Sequence, residues 1–339
     1  MAYQEACGSI NGVVDFGTIF RNFELQIHKK TMKKGRFLLL VGFFAVSNLA
    51  LAQDYTFRVL ANKGANEIKS GAAWQPVKTG STLNVSDEIR ISENASVGLV
   101  HIKGKPLEVK QPGVYKVADL AAKVQTEASV LNKYTDFILS SNSAEAKKNR
   151  LSATGAVHRG SKDAIQPQLP KNEGAEIFGN QLVINWDTES AGPFVVTVLN
   201  MFDETIFKAE TAQKSLTVDL ADAKFNGEDA LIVDIKSKTT GAKLADDSRP
   251  MVKRLSPAKA ATIKAGFADV SKELDGTTAF GNLFLAGFYE QNRLIVDAIA
   301  AYEKAIALAP EDPTYKEYYL EFLYRNKLKV DPNAPVNNK

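Results

Sequence analysis

The chain is poor in the residues that most often carry chemistry. Its 339 residues include one cysteine, Cys7, and three histidines. A lone cysteine excludes a disulfide framework, a Cys-X-X-Cys redox pair and a cysteine-rich zinc site. No cysteine stands near residue 52 to take a lipid at a signal cleavage site. The sequence also lacks HExxH, GxSxG and GxxxxGK[ST], the spacings that mark zinc hydrolases, serine hydrolases and phosphate-binding loops. Beyond residue 52 no apolar run approaches the ~20 residues that cross a bilayer. Charge of one sign is missing as well. Residues 1–52 hold six basic and three acidic side chains, which leaves 36 of each in the remainder of a chain whose formal net charge is +3. A balanced chain has no long-range field to draw a polyanion, so nucleic acid is not an expected partner.

The few candidate catalytic groups have structural explanations. His101 follows the alternating pattern of a strand and reads as a solvent-facing or hydrogen-bonded histidine. His158 sits in a polar stretch beside Arg159, with no carboxylate before Asp163. Asp246-Asp247 and Glu311-Asp312 fall in turns or at helix starts, and Asp312 before Pro313 reads as an N-cap with proline at the first helical position. Asp187, Glu189, Asp203 and Glu204 lack the alternate-ligand spacing of a calcium loop. No catalytic residue, cofactor or metal ligand is expected.

What is present begins with an address. Met32-Lys33-Lys34-Gly35-Arg36 is basic, Phe37 to Ala45 is apolar, and Ala50-Leu51-Ala52 supplies small residues at the −3 and −1 positions. These are the three parts of a secretory signal peptide, with cleavage expected after Ala52 and a periplasmic, cell-surface or secreted destination. Residues 1–31 read as an upstream extension and 32–52 as the signal.

Residues 53–140 read as a small β domain followed by a helix. Alternation at Tyr55–Leu60, Glu88–Ile91, Ser96–Ile102, Leu107–Val109 and Gly113–Val117 predicts strands, with a turn at Lys103–Pro106. Leu120, Val124, Leu131, Tyr134 and Ile138 predict one helix over about 118–140. Residues 141–174 are polar and read as a linker. Strands over 175–255 predict a β-sandwich with Trp186 in its core and Phe194 facing it from the other sheet. Residues 256–330 read as helical, with Ser256 capping a helix that starts at Pro257, and 331–339 as a frayed tail. The expected fold class is multi-domain and mainly β, with a C-terminal helical hairpin repeat.

Three resemblances sharpen this. Val77 to Arg90 (VKTGSTLNVSDEIR) and Asn94 to Lys105 (NASVGLVHIKGK) resemble the FecR-like domain over about 60 residues. That family is named for periplasmic regulators of iron-citrate uptake. This chain has neither their membrane helix nor their sigma-factor-binding segment, so the resemblance implies only a small envelope β module. Residues 175–255 resemble an immunoglobulin or fibronectin type III sandwich, which implies a spacer or adhesive role. Leu285, Ala286, Tyr289, Ala298, Tyr302, Ala305 and Pro310 match seven of the eight key positions of a tetratricopeptide repeat. Asn282 stands where a large apolar residue is expected. Such a repeat implies protein binding, or else a hairpin that serves only as structure.

The expected function is that of a non-catalytic, exported envelope protein, a scaffold or regulatory module for other envelope proteins. The alternative is a glycan- or peptidoglycan-binding protein, which needs Phe202 or Phe207 in a flat aromatic platform on the sandwich.

Overall fold

Two four-stranded antiparallel sheets come first. One has the order β4-β1-β6-β7, built from β1 (Phe57–Lys63), β4 (Thr82–Leu83), β6 (Ser96–His101) and β7 (Pro106–Val109). The other has the order β3-β2-β5-β8, built from β2 (Glu67–Ser70), β3 (Ala73–Pro76), β5 (Glu88–Ile91) and β8 (Gly113–Lys116). Alternation places Phe57, Val59, Ile89, Ile91, Val97 and Leu99 in a core of their own. The expected turn at 103–106 joins β6 to β7, with Gly104 in the left-handed region at φ +84°. This computed structural model describes residues 55–124, 129–153, 164–170, 175–245 and 249–333. The expected export signal, His158, Asp246 and Asp247 lie outside the described residues.

The helix expected over 118–140 is two helices, α1 (Val117–Lys123) and α2 (Asn132–Ser141). The physical reason is a division of labour. Val117, Leu120 and Val124 complete the small β core, whereas Leu131, Tyr134 and Ile138 belong to a second, larger one. A single straight helix does not serve both.

The stretch expected as a linker carries α3 (Ala144–Ala153) and β9 (Gln166–Pro167). The helix is held by charge rather than by an apolar stripe. Lys147 pairs with Glu317 at 2.6 Å, and Arg150 pairs with Glu321 at 3.1 Å and with Asp331. That last pair buries Asp331, where fraying was expected to begin.

The second β region has a five-stranded sheet of order β10-β16-β15-β12-β13 and a three-stranded sheet of order β14-β11-β9. Its strands are β10 (Ala175–Ile177), β11 (Gln181–Asp187), β12 (Phe194–Leu199), β13 (Thr205–Thr211), β14 (Ser215–Asp219), β15 (Ala230–Ser237) and β16 (Met251–Arg254). Pairing is antiparallel except between β10 and β16. Trp186 on β11 and Phe194 on β12 meet edge to face at 5.3 Å, one from each sheet, as expected.

Four helices follow: α4 (Pro257–Glu273), α5 (Ala279–Gln291), α6 (Ile295–Leu308) and α7 (Pro313–Arg325). Ser256 caps α4 through Lys259 N–H, and Asp312 caps α7 through Thr314 N–H, each ahead of a proline in the first turn. Among the described residues, helices hold at least as many residues as strands, so the architecture is mixed rather than mainly β. The larger core unites the sandwich, α2 and the C-terminal helices, and it takes in Leu60, Ala61 and Val100 from the first β region. The described residues all lie within one compact unit, Asp54–Lys339.

Candidate interaction surface

Five of the seven repeat-like residues are buried, Tyr289 is half-buried and Pro310 is exposed. Leu285, Ala286 and Tyr289 lie on α5, Ala298, Tyr302 and Ala305 on α6, and Pro310 in the turn before α7. Ala286, Ala298 and Ala305 are fully buried, small enough to let α5 and α6 approach closely. Tyr302 stacks on Tyr319 at 5.6 Å, and Tyr289 stacks on Phe267 of α4 at 6.2 Å. Asn282 does different work from the large apolar residue expected there. Its side chain donates to the carbonyls of Gly276 and Thr278 and ties down the approach to α5. Eleven of the thirteen residues of α5 are buried. A helix buried on every side offers no face to a peptide, so this hairpin does not present α5 as a docking groove.

Polar contacts lock the hairpin to both β regions. Asp297, in the first turn of α6, accepts from Phe178 N–H at 2.8 Å and Gly179 N–H at 2.6 Å, just before β11. Burial pushes its carboxyl up to about 6 despite these two donors. Asp312 accepts from Asn62 N–H of β1 at 3.1 Å, and Thr79 and Thr314 hydroxyls meet at 3.0 Å. Glu290 of α5 takes two bonds from Arg325 at 2.7 and 2.6 Å and one from Asn326 at 2.8 Å. A bidentate pair of this kind fixes both side chains in plane.

Among the histidine and carboxylate candidates, His101, Asp187 and Asp203 have local partners. His101 packs edge to face on Phe57 at 5.2 Å and accepts from Lys103 N–H at 3.2 Å. Partial burial and the nearby Lys103 charge lower its pKa. Asp187 is bound by Lys329 at 2.6 Å and by Gln168, and Asp203 by Arg249 at 2.7 Å. The two aspartates lie past opposite ends of β12, so they do not share a site.

The two phenylalanines named for a platform part company. Phe207 is half-buried against Phe225 at 6.3 Å, with the Lys224 ammonium 5.0 Å from its ring. Phe202 is 84% exposed at the tip of the β12–β13 hairpin, beside Met201 at 53%. The tip is rigidly built. Asn200 is buried, and its side-chain oxygen accepts from Phe202 N–H at 2.9 Å and Glu204 N–H at 3.0 Å. Its amide donates to the Glu204 carboxylate at 2.8 Å, and Asp203 occupies the left-handed region at φ +62°. Phe202 is the only aromatic among the exposed large apolar side chains of the described residues. No helix of the described residues is long and apolar enough to cross a membrane. Compared with known proteins, the chain matches no family model and no curated sequence.

Proposed function

We propose that this chain is an exported cell-envelope protein that acts by engaging another protein rather than by catalysis. The observation that carries the reading is the β12–β13 tip. An aromatic side chain left 84% exposed does nothing for the fold, yet Asn200 spends three hydrogen bonds holding its turn. A rigid aromatic anchor is the kind of residue that dominates a protein interface, because little side-chain freedom is lost on binding. Met201, 53% exposed beside it, widens the anchor, which suits an apolar pocket on the partner.

The FecR-like, immunoglobulin-like and tetratricopeptide-like resemblances enter this proposal as parts of one scaffold. The first two display surfaces, and the helical hairpin fastens them together. The address rests on the basic–apolar–small pattern of 32–52.

Crosslinking in intact cells, then capture of a tagged chain and mass spectrometry, tests both parts. The expected result is one stoichiometric envelope partner, lost about tenfold or more in Phe202→Ser, and a mature chain beginning at Gln53. Capture that is indifferent to Phe202→Ser sinks the interface. Recovery of wall glycan with no protein favours the glycan-binding alternative.

A further inference from the structure

A second surface lies on the first β region, beside the β2–β3 hairpin. The β2–β3 hairpin forms one edge of its sheet, and β3 is exposed on both faces. Ala73 and Gln75 on one side and Pro76 on the other all face solvent. On the facing sheet the edge strand β4 is only two residues long. Between them runs a groove of about 370 Å³, within the range of small-ligand sites.

Its lining has a definite chemistry. Its apolar part is small, since Ile68 belongs to the core and is only 8% exposed and Pro76 turns to the opposite face of the hairpin. The rest is polar: the Ser70, Ser81 and Thr82 hydroxyls, the Gln75 amide and the Lys78 ammonium. None of those five polar side chains makes a hydrogen bond or ion pair to another described residue, so their bonding capacity is free for a ligand. No carboxylate lines the groove, and Lys78 leaves it with one positive charge.

From these features the geometry points to a binding site for a saccharide that carries a single carboxylate. Three hydroxyls and an amide both donate and accept, which matches sugar hydroxyls better than any purely anionic group. One ammonium matches one carboxylate, and no arginine lines the groove to fork a phosphate. A wholly apolar ligand would strand five polar groups. The site is separate from the Phe202 tip and stands or falls independently of the protein-binding reading.

An array of glucuronate- and muramate-bearing oligosaccharides, with their glucose and N-acetylglucosamine counterparts, is the first screen on the mature chain. Titration calorimetry and amide NMR then follow the best ligand. The expected result is acidic oligosaccharide bound about tenfold more tightly than its neutral partner, with shifts clustered over residues 68–82. Lys78→Ala should erase that tenfold preference, and Gln75→Ala should weaken acidic and neutral sugars alike. Both side chains are exposed and unbonded within the chain, so neither change should unfold it. Phe202→Ser should leave sugar binding unchanged. The proposal is overturned by no binding at millimolar sugar, by affinity indifferent to both groove variants, or by equal competition from inorganic sulfate, which would reveal point-charge attraction only.

Discussion

At the scale of single residues, two positions set sharp constraints. A Cβ built on Gly98 of β6 would sit 2.2 Å from the Phe280 ring, so glycine is what lets that ring press against the sheet. Gly98→Ala should therefore cost about 1–3 kcal/mol in a denaturant titration, with part of the loss recovered when Phe280→Leu is added. Asp297 gives a pH signature instead. Its carboxyl rises from an ordinary 3.8 to about 6 on folding, so the folded state holds the proton more tightly. Its contribution to stability is then complete below about pH 4 and disappears as pH rises through about 6, a span worth about 3 kcal/mol. Asp297→Asn should flatten that part of the stability–pH curve. A variant whose unfolding midpoint keeps the wild-type slope between pH 4 and 7 would contradict the assignment.

At the scale of elements, the Glu290–Arg325 pair joins α5 to α7 across side chains 7% and 18% exposed. Arg325→Met leaves Glu290 with Asn326 alone and should cost about 3–5 kcal/mol, while the double change to Glu290→Leu with Arg325→Met should recover most of it. Urea midpoints of the three variants check this. The elements also show which sequence signals carry and which do not. Strands that bury one face, such as β5, β12 and β15, were readable because a half-buried strand must alternate, and β6 and β11, buried on both faces, were readable as apolar runs. β3, β9 and β16 were not, since AWQP, QP and MVKR are too short or too polar to show a period. The α3 helix stayed hidden because its cohesion comes from Lys147 and Arg150 reaching α7, and apolar periodicity does not register ion pairs. The same limit applies to the surfaces. Phe202 was visible as an aromatic in a turn, but only the backbone bonds of Asn200 show that it is held outward. The 68–82 groove has no signature in sequence at all, because its lining comes from two sheets.

At the scale of the whole molecule, the two tryptophans report on different regions. Trp74 lies on the β2–β3 hairpin under the Arg90 guanidinium at 3.9 Å, and Trp186 is in the sandwich core. Because one core takes residues from both β regions and the helices, the two reporters should lose native fluorescence together. Single-tryptophan variants, Trp74→Phe and Trp186→Phe, are expected to give matching unfolding midpoints. Two separated midpoints would mean that the regions melt independently. The joint itself has a further consequence for how the chain is made. Asn62 and Asp312 are bonded across 250 intervening positions, and the Phe280 ring that presses on β6 is likewise encoded late. β1 cannot bond Asp312, nor Gly98 meet the Phe280 ring, until α5 to α7 have been translated. A stop codon or a protease cut before residue 280 therefore yields a sticky fragment, not a shorter version of the same protein.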